Sequence, residues 1–275
     1  MHSVIFENSI EKMIPACWDD LSTDDLFGLF LALQERKPAH RIKTMMLIRC
    51  TGIQVSHSRR SYPVGILPGV KGEISMEQIS QLSDCFDFLF SDPDENGNCE
   101  LQPSLTKNPL RELLPGMDPG TALGGITYGQ YQYLCYYMSN LTDSAETSLE
   151  AIVNILYQTA YMEGVSIPVS ELLSPVLGKK AGNREQCILF IKTVVAWYAA
   201  GSMRVLAERF PIVFSGNGVS DGSGNVFEEQ LRLLDLLSES DVTKREAVRN
   251  ANLWDVIHNL SMRIEKSEKQ KQERS

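Results

Sequence analysis

Residues 187–203 read CILFIKTVVAWYAAGSM, a run that is almost wholly apolar and is interrupted once, by Lys192. An α-helix crossing a bilayer needs about 18 to 20 clean apolar residues. This run is shorter and carries a charge. It therefore predicts the buried core helix of a multi-helix protein, not a membrane span. Asn183 stands three residues before Gln186, where its side chain can cap the helix start. Phe190, Val194, Trp197 and Tyr198 follow at helical spacing, and Ala199-Ala200-Gly201-Ser202 would allow another helix to approach closely.

The remainder of the chain extends the helical pattern in both directions. Ser22 or Thr23 caps a helix whose inner face is Leu26, Leu29, Phe30 and Leu33, with Asp24 and Asp25 suiting its positive end. Pro38 ends it, and Ile42, Met45, Met46 and Arg49 predict a second. Ser75 with Gln78 and Thr127 with Gln130 are capping boxes. The first opens a stripe of Ile79, Leu82, Phe86, Leu89 and Phe90. The second opens a tyrosine-rich helix through Tyr128, Tyr131, Leu134, Tyr137 and Met138. Leu149, Ile152, Val153 and Leu156 mark another, and Leu231, Leu234 and Leu237 a short one. Leu253, Ile257, Leu260 and Ile264 form the last, which runs into a charged tail from Arg263.

Strand signals are few. Val4-Ile5-Phe6 and Lys12-Met13-Ile14 predict an N-terminal β-hairpin or arm ending at Pro15, and residues 52–72 two short strands among irregular chain. The expected class is mainly α: a multi-helix globular fold of about eight helices with a small N-terminal β element. Five prolines between Pro93 and Pro119 block any long helix there. The expected organisation is an N-terminal helical domain with the β arm (1–100) and a C-terminal helical domain (101–275) ending in a charged amphipathic helix. One continuous domain is the alternative.

The chain has 275 residues, 43% of them apolar, and a formal net charge of −9. That is enough apolar surface for a real core. An acidic surface repels phosphate, so neither nucleic acid nor an anionic membrane is an expected partner. The first ten residues include Glu7 and no apolar core, so no secretion signal is expected and the expected location is cytoplasmic. None of the six cysteines forms a C-x-x-C pair, and the reading is that most are reduced, buried small residues.

Three patterns invite a chemical reading. Asp92-Pro93-Asp94-Glu95-Asn96-Gly97 spells the first half of a calcium-binding loop. Its twelfth position is Pro103 where a bidentate glutamate is needed, so a simple Asp/Asn/Gly turn is preferred. Gly218-Val219-Ser220-Asp221-Gly222 spells the nucleophile turn of serine hydrolases, and Asp235 or Asp241 with His258 would complete a triad in the right order. No strand–helix alternation surrounds it, so the hydrolase is kept only as an alternative. The four histidines are scattered and none pairs with a nearby cysteine. The reading is non-enzymatic, with no catalytic residue, no metal and no cofactor.

Several segments, taken in order, resemble a family of uncharacterised phage and prophage proteins encoded among tail genes near the tape-measure gene. The first is Pro15-Ala16-Cys17-Trp18-Asp19-Asp20-Leu21-Ser22, after the β arm. Phe88-Leu89-Phe90 and Leu105-Thr106-Lys107-Asn108-Pro109 follow. Next come Gly120 to Tyr131 and then Ile152-Val153-Asn154-Ile155-Leu156-Tyr157, and the chain closes on a charged helix from Trp254 to Arg274. The family pattern has glutamate where Asp20 and Gln130 stand, and a Gly-Pro pair where only Gly120 remains. The resemblance implies a tail-assembly chaperone or scaffold that binds apolar helices of another tail protein, such as a tape-measure-like chain. A minor structural subunit of the particle is the alternative it implies. The family has no established catalytic residues to carry over. The aromatic and amphipathic positions Trp18, Leu21, Trp254, Ile257 and Leu260 are the expected contact surface for the partner.

Overall fold

A computed structural model describes residues 1–6, 10–57, 63–68, 73–111, 118–142, 144–157, 167–172, 183–214 and 226–272; counts and absences below refer to these. The architecture is mainly α, and the chain divides into two compact units, Met1–Ser104 and Leu105–Ser275. The expected boundary at 100 lies four residues earlier.

The first unit opens with the antiparallel hairpin of β1 (His2–Phe6) and β2 (Ile10–Ile14), paired from His2 opposite Ile14 to Phe6 opposite Ile10. Helix α1 (Thr23–Gln34) begins where Ser22 accepts from the N–H of Asp25 and Asp25 reaches back to the N–H of Ser22. It packs on α2 (Ala39–Thr51). Gly52, at φ +76°, ends α2 in the left-handed region. Residues 52–75 then yield three strands: β3 (Gln54–His57), β4 (Pro63–Ile66) and β5 (Ile74–Ser75), all antiparallel in the order β3-β4-β5. The register sets Gly65 opposite Val55, and a Cβ at Gly65 would lie 2.6 Å from Ile79 and 2.8 Å from Ile53.

Periodicity predicts one α-helix from Ile79 to Phe90. The structure instead ends α3 (Met76–Leu82) early and continues as 3-10 turns over Ser83–Leu89. The Ser83 hydroxyl donates to the carbonyl of Ser80 at 2.6 Å, a local bond that competes with the helical ladder. Phe86 and Leu89 still reach the core.

The second unit is built on α4 (Tyr128–Ser139), α5 (Ala145–Tyr157) and α7 (Arg184–Arg209). Between α5 and α7 lies the short α6 (Val169–Leu172), and after α7 the short α8 (Pro211–Phe214). Then follow α9 (Val226–Leu237), α10 (Val242–Asn250) and α11 (Leu253–Gln272). Among the described residues this makes eleven α-helices against an expected eight or so. The additions are the one-turn α6 and α8 and the polar α10, which buries no residue and so leaves no apolar stripe to read.

Helix α7 is the one helix of the described residues long and apolar enough to cross a membrane by length and composition. Here it is a core helix: Phe190, Ile191, Val194, Val195, Trp197, Tyr198, Ala199 and Leu206 are all buried, and it packs on α5. Lys192, in the middle of that surface, is only 9% exposed and pairs with Glu150 of α5. Asn154, one turn on from Glu150 and 2% exposed, fixes the chain at Ile167: its Oδ1 accepts from Ile167 N and its Nδ2 donates to Ile167 O, both at 2.9 Å.

Trp18 and Leu21, expected on a contact surface, are core residues of the first unit, 0% and 8% exposed. The Trp18 ring is enclosed, and its Nε1 donates to the carbonyl of Phe88 at 3.1 Å. Large rings adjoin partner surfaces and fill cores with the same sequence signal, which is why the pattern alone misplaced them. Trp18→Ala should lower unfolding free energy by about 3–5 kcal/mol through the void it leaves. Trp18→Phe should cost less, near 1 kcal/mol from the lost hydrogen bond plus a smaller packing defect. Urea unfolding followed by far-ultraviolet circular dichroism checks both. An unchanged midpoint for Trp18→Ala would return the residue to the surface.

Candidate functional site

The second unit carries a loop whose conformation is costly and whose anchors include the buried Tyr198. Gly120, Ala122 and Leu123 have φ of +78°, +49° and +61°. Two successive non-glycine residues in the left-handed region store strain, and such strain persists only where the surroundings enforce it. Gly120 is needed twice over: its φ is left-handed, and a Cβ there would lie 2.6 Å from the backbone nitrogen of Gly125. At Gly125 a Cβ would sit 2.7 Å from the carbonyl oxygen of Asp118.

The enforcing contacts come from distant parts of the chain. The Tyr198 hydroxyl of α7 donates to the Gly120 carbonyl and accepts from the N–H of Leu123 at 3.2 Å. The N–H of Ala122 donates to the carbonyl of Thr106 at 2.9 Å. Trp254 Nε1 donates to the carbonyl of Ala122 at 2.9 Å, and Asn252 Nδ2 to that of Gly124 at 2.8 Å. Asp118 accepts from Gly120 N at 2.9 Å and from Asn108 Nδ2 at 3.0 Å. Asn108 Oδ1 in turn accepts from the Tyr157 hydroxyl at 2.5 Å and from Leu110 N at 3.0 Å.

Burial pushes both tyrosine hydroxyls above the usual phenol range, and the neighbouring Asp118 charge adds to the shift. Both stay protonated at any physiological pH and serve as fixed donors. The carboxylate of Asp118 is likewise engaged by loop groups. The arrangement thus reads as a scaffold for a rigid loop, with Asp118, Thr121 and Gly125 exposed at its surface.

Trp254, Ile257 and Leu260 were expected on the contact surface. Ile257 and Leu260 are 1% and 0% exposed and belong to the core face of α11, so both are corrected to packing positions. A stripe at helical spacing is what any core-facing helix shows. Trp254 is half-buried; besides bonding Ala122 it meets Phe210 edge-on, ring centroids 5.7 Å apart. Of the five expected residues it is the one placed at the loop. Asn108, Asp118, Tyr157 and Tyr198 were not assigned a role from sequence. Asn108 and Tyr157 do stand in segments that carry the resemblance, and the structure bonds one to the other.

The other chemical patterns resolve individually. Asp94 accepts from the N–H groups of Asn96 and Asn98 at 2.9 and 2.7 Å, which holds its carboxyl below the usual range, and Gly97 turns the chain at φ +77°. That is a side-chain-stabilised turn. No three potential metal ligands cluster among the described residues. Residues 218–222 lie outside the described residues, so Ser220 has no placement. Asp235 pairs with Arg245, and Asp241 caps α10 through Thr243. His258 is exposed on α11 beside the Phe210 ring. No family model matches the chain, and neither a curated protein nor a solved structure matches it.

All six cysteines are free thiols, but only Cys135 is buried; Cys17 is exposed and the rest are partly covered. Burial pushes Cys135 and Cys50 up to about 12, the Asp25 carboxylate adding at Cys50, and Cys85 up to about 11. The thiolate is the nucleophile. Alkylation of the folded protein at pH 8 should therefore modify Cys17 first and Cys135 last, and mass mapping of the adducts checks the order. Gly120→Ala and Gly97→Ala make a paired test of the loop. At Gly97 nothing lies within 4 Å, so only the left-handed penalty of about 1–2 kcal/mol applies. Gly120→Ala should cost clearly more in denaturant titration. Equal costs would show that the loop relaxes freely.

Proposed function

We propose that this chain is a non-enzymatic assembly protein that binds another protein through the Asp118–Gly125 face, and that its role is that of a phage or prophage tail-assembly chaperone or scaffold. The observation that carries the first half is the strained loop itself. Its side-chain chemistry is consumed in holding backbone, and backbone strain of this kind is characteristic of ligand clamps and switch regions. The reading of the second half rests on the resemblance. What supports it is that the segments bearing it are joined in pairs: Trp18 to Phe88 in the first unit, and Asn108 to Tyr157 and Trp254 to Ala122 in the second.

The expected partner is a long helical tail protein, held soluble before the tail tube covers it. Affinity capture of the tagged chain from its native host, read by mass spectrometry, should recover such a protein in stoichiometric amount. Thr121→Arg, on the exposed loop face, should lower that recovery at least tenfold while leaving the melting temperature unchanged. A partnerless chain, or capture indifferent to Thr121→Arg, would overturn the proposal. Purified particles free of the chain would favour a chaperone; particles containing it would favour a structural subunit.

A further inference from the structure

Helices α9 and α10 meet at a turn that leaves apolar side chains in water. Leu236 and Val242, 55% and 68% exposed, flank the turn. Met262, 55% exposed, stands on α11 next to Arg263, whose guanidinium reaches Glu239 of the turn at 3.6 Å. The turn itself is fixed. Glu239 and Ser240 take φ of +57° and +61°. Ser240 N donates to the Asp235 carbonyl and Asp241 N to that of Ser238, both at 2.9 Å. Ser238 is 0% exposed, and its hydroxyl donates to the Asp235 carbonyl at 3.2 Å. Single exposed apolar residues are ordinary, but several together inside a polar rim mark an interaction surface. Helix α10 is also thinly supported: it has nine residues and buries none of them. A helix that short does not hold itself in water. It rests on α4 and α9, and its outer side is open.

The charges at this turn decide what can cover it. Asp235 pairs with Arg245, Glu239 with Lys244 and Arg263, and Asp241 with Lys244, so three carboxylates meet three cations. These charges cancel, while the chain as a whole carries −9, so its negative excess lies elsewhere. A basic partner would gain more on that acidic surface than here, and an acidic partner would be repelled by it. Two copies of the chain repel each other over the same surface, and at this corner they approach without that cost. The signs also match across a two-fold axis. Glu239 of one copy would face Lys244 and Arg263 of the other, repeating between chains the pairs made within each.

We propose that this corner is a self-association surface. Two copies pack α10 against α10 about a two-fold axis, with Leu236 and Val242 of each at the centre, Met262 beside them and the ion pairs as the rim. Three apolar anchors per copy make a small interface, so the dimer is reversible and forms in the micromolar range. The proposal stands on the corner alone and does not depend on the tail-assembly reading.

Sedimentation velocity of the full-length chain, over a concentration series across the micromolar range, should show monomer passing into dimer. Val242→Glu is the test variant. Val242 is the first residue of α10, where a carboxylate suits the helix start, so the melting temperature should hold. The dimer should weaken at least tenfold. Leu189→Glu, at a 41% exposed position on α7, is the control and should leave it unchanged. A chain that stays monomeric throughout, a dimer indifferent to Val242→Glu, or one weakened equally by Leu189→Glu overturns the proposal. Hydrogen exchange of the unaltered chain gives a second reading should Val242→Glu fail to fold. The amides of α10 should exchange at least tenfold more slowly at concentrations where the dimer prevails. Exchange independent of concentration would mean that nothing covers the helix, and would sink the idea.

Discussion

A lysine placed in the middle of an apolar helix must find a carboxylate, and that requirement organises the second unit. Lys192 lies on the same helix as Phe190, Val194 and Trp197, and its charge is answered by Glu150 on α5. An uncompensated buried charge costs roughly 3–5 kcal/mol, comparable to a large part of a domain's stability. The pair therefore fixes how α5 and α7 slide and rotate against each other. With that register set, Asn154 faces Ile167, and Tyr157 and Tyr198 stand where they reach Asn108 and the Gly120 loop.

The tyrosines show how a protein can hold a costly backbone. Left-handed Ala122 and Leu123 would relax in an isolated peptide. Here the N–H of each has a fixed acceptor, on Thr106 and Tyr198, and the Ala122 carbonyl has a fixed donor in Trp254. Each anchor is itself packed, so the loop inherits the rigidity of the helices beneath it. The start of α4 is tied in as well, since Tyr128 N donates to Ala251 and Leu253 N to Ile126. One end of the unit is thus a knot of main-chain bonds drawn from segments far apart in sequence.

What could be read from sequence follows the range of the interaction. Capping at Ser22, Ser75, Thr127 and Asn183 is local chemistry within three residues, and each cap forms where its pattern predicts. The mainly helical class and the small N-terminal hairpin were legible for the same reason. Helix α10 left no trace because it buries nothing, and the 3-10 turns after α3 hid beneath a regular apolar stripe. The loop site was illegible as a site. Tyr198 and Leu123 are 75 residues apart, Trp254 and Ala122 132 apart, and no spacing rule links them. The reverse error arose at Trp18, Leu21, Ile257 and Leu260: apolar side chains carry the same signal whether they face a partner or their own core.

The placement of the three tryptophans gives the molecule a built-in optical division of labour. Trp18 lies in the first unit, sealed from solvent, while Trp197 and Trp254 lie in the second. Indole emission shifts to longer wavelength as water reaches the ring. A blue component that disappears while a second persists would report the first unit melting alone. A single shared shift would mean that the two units lose their structure in one cooperative event.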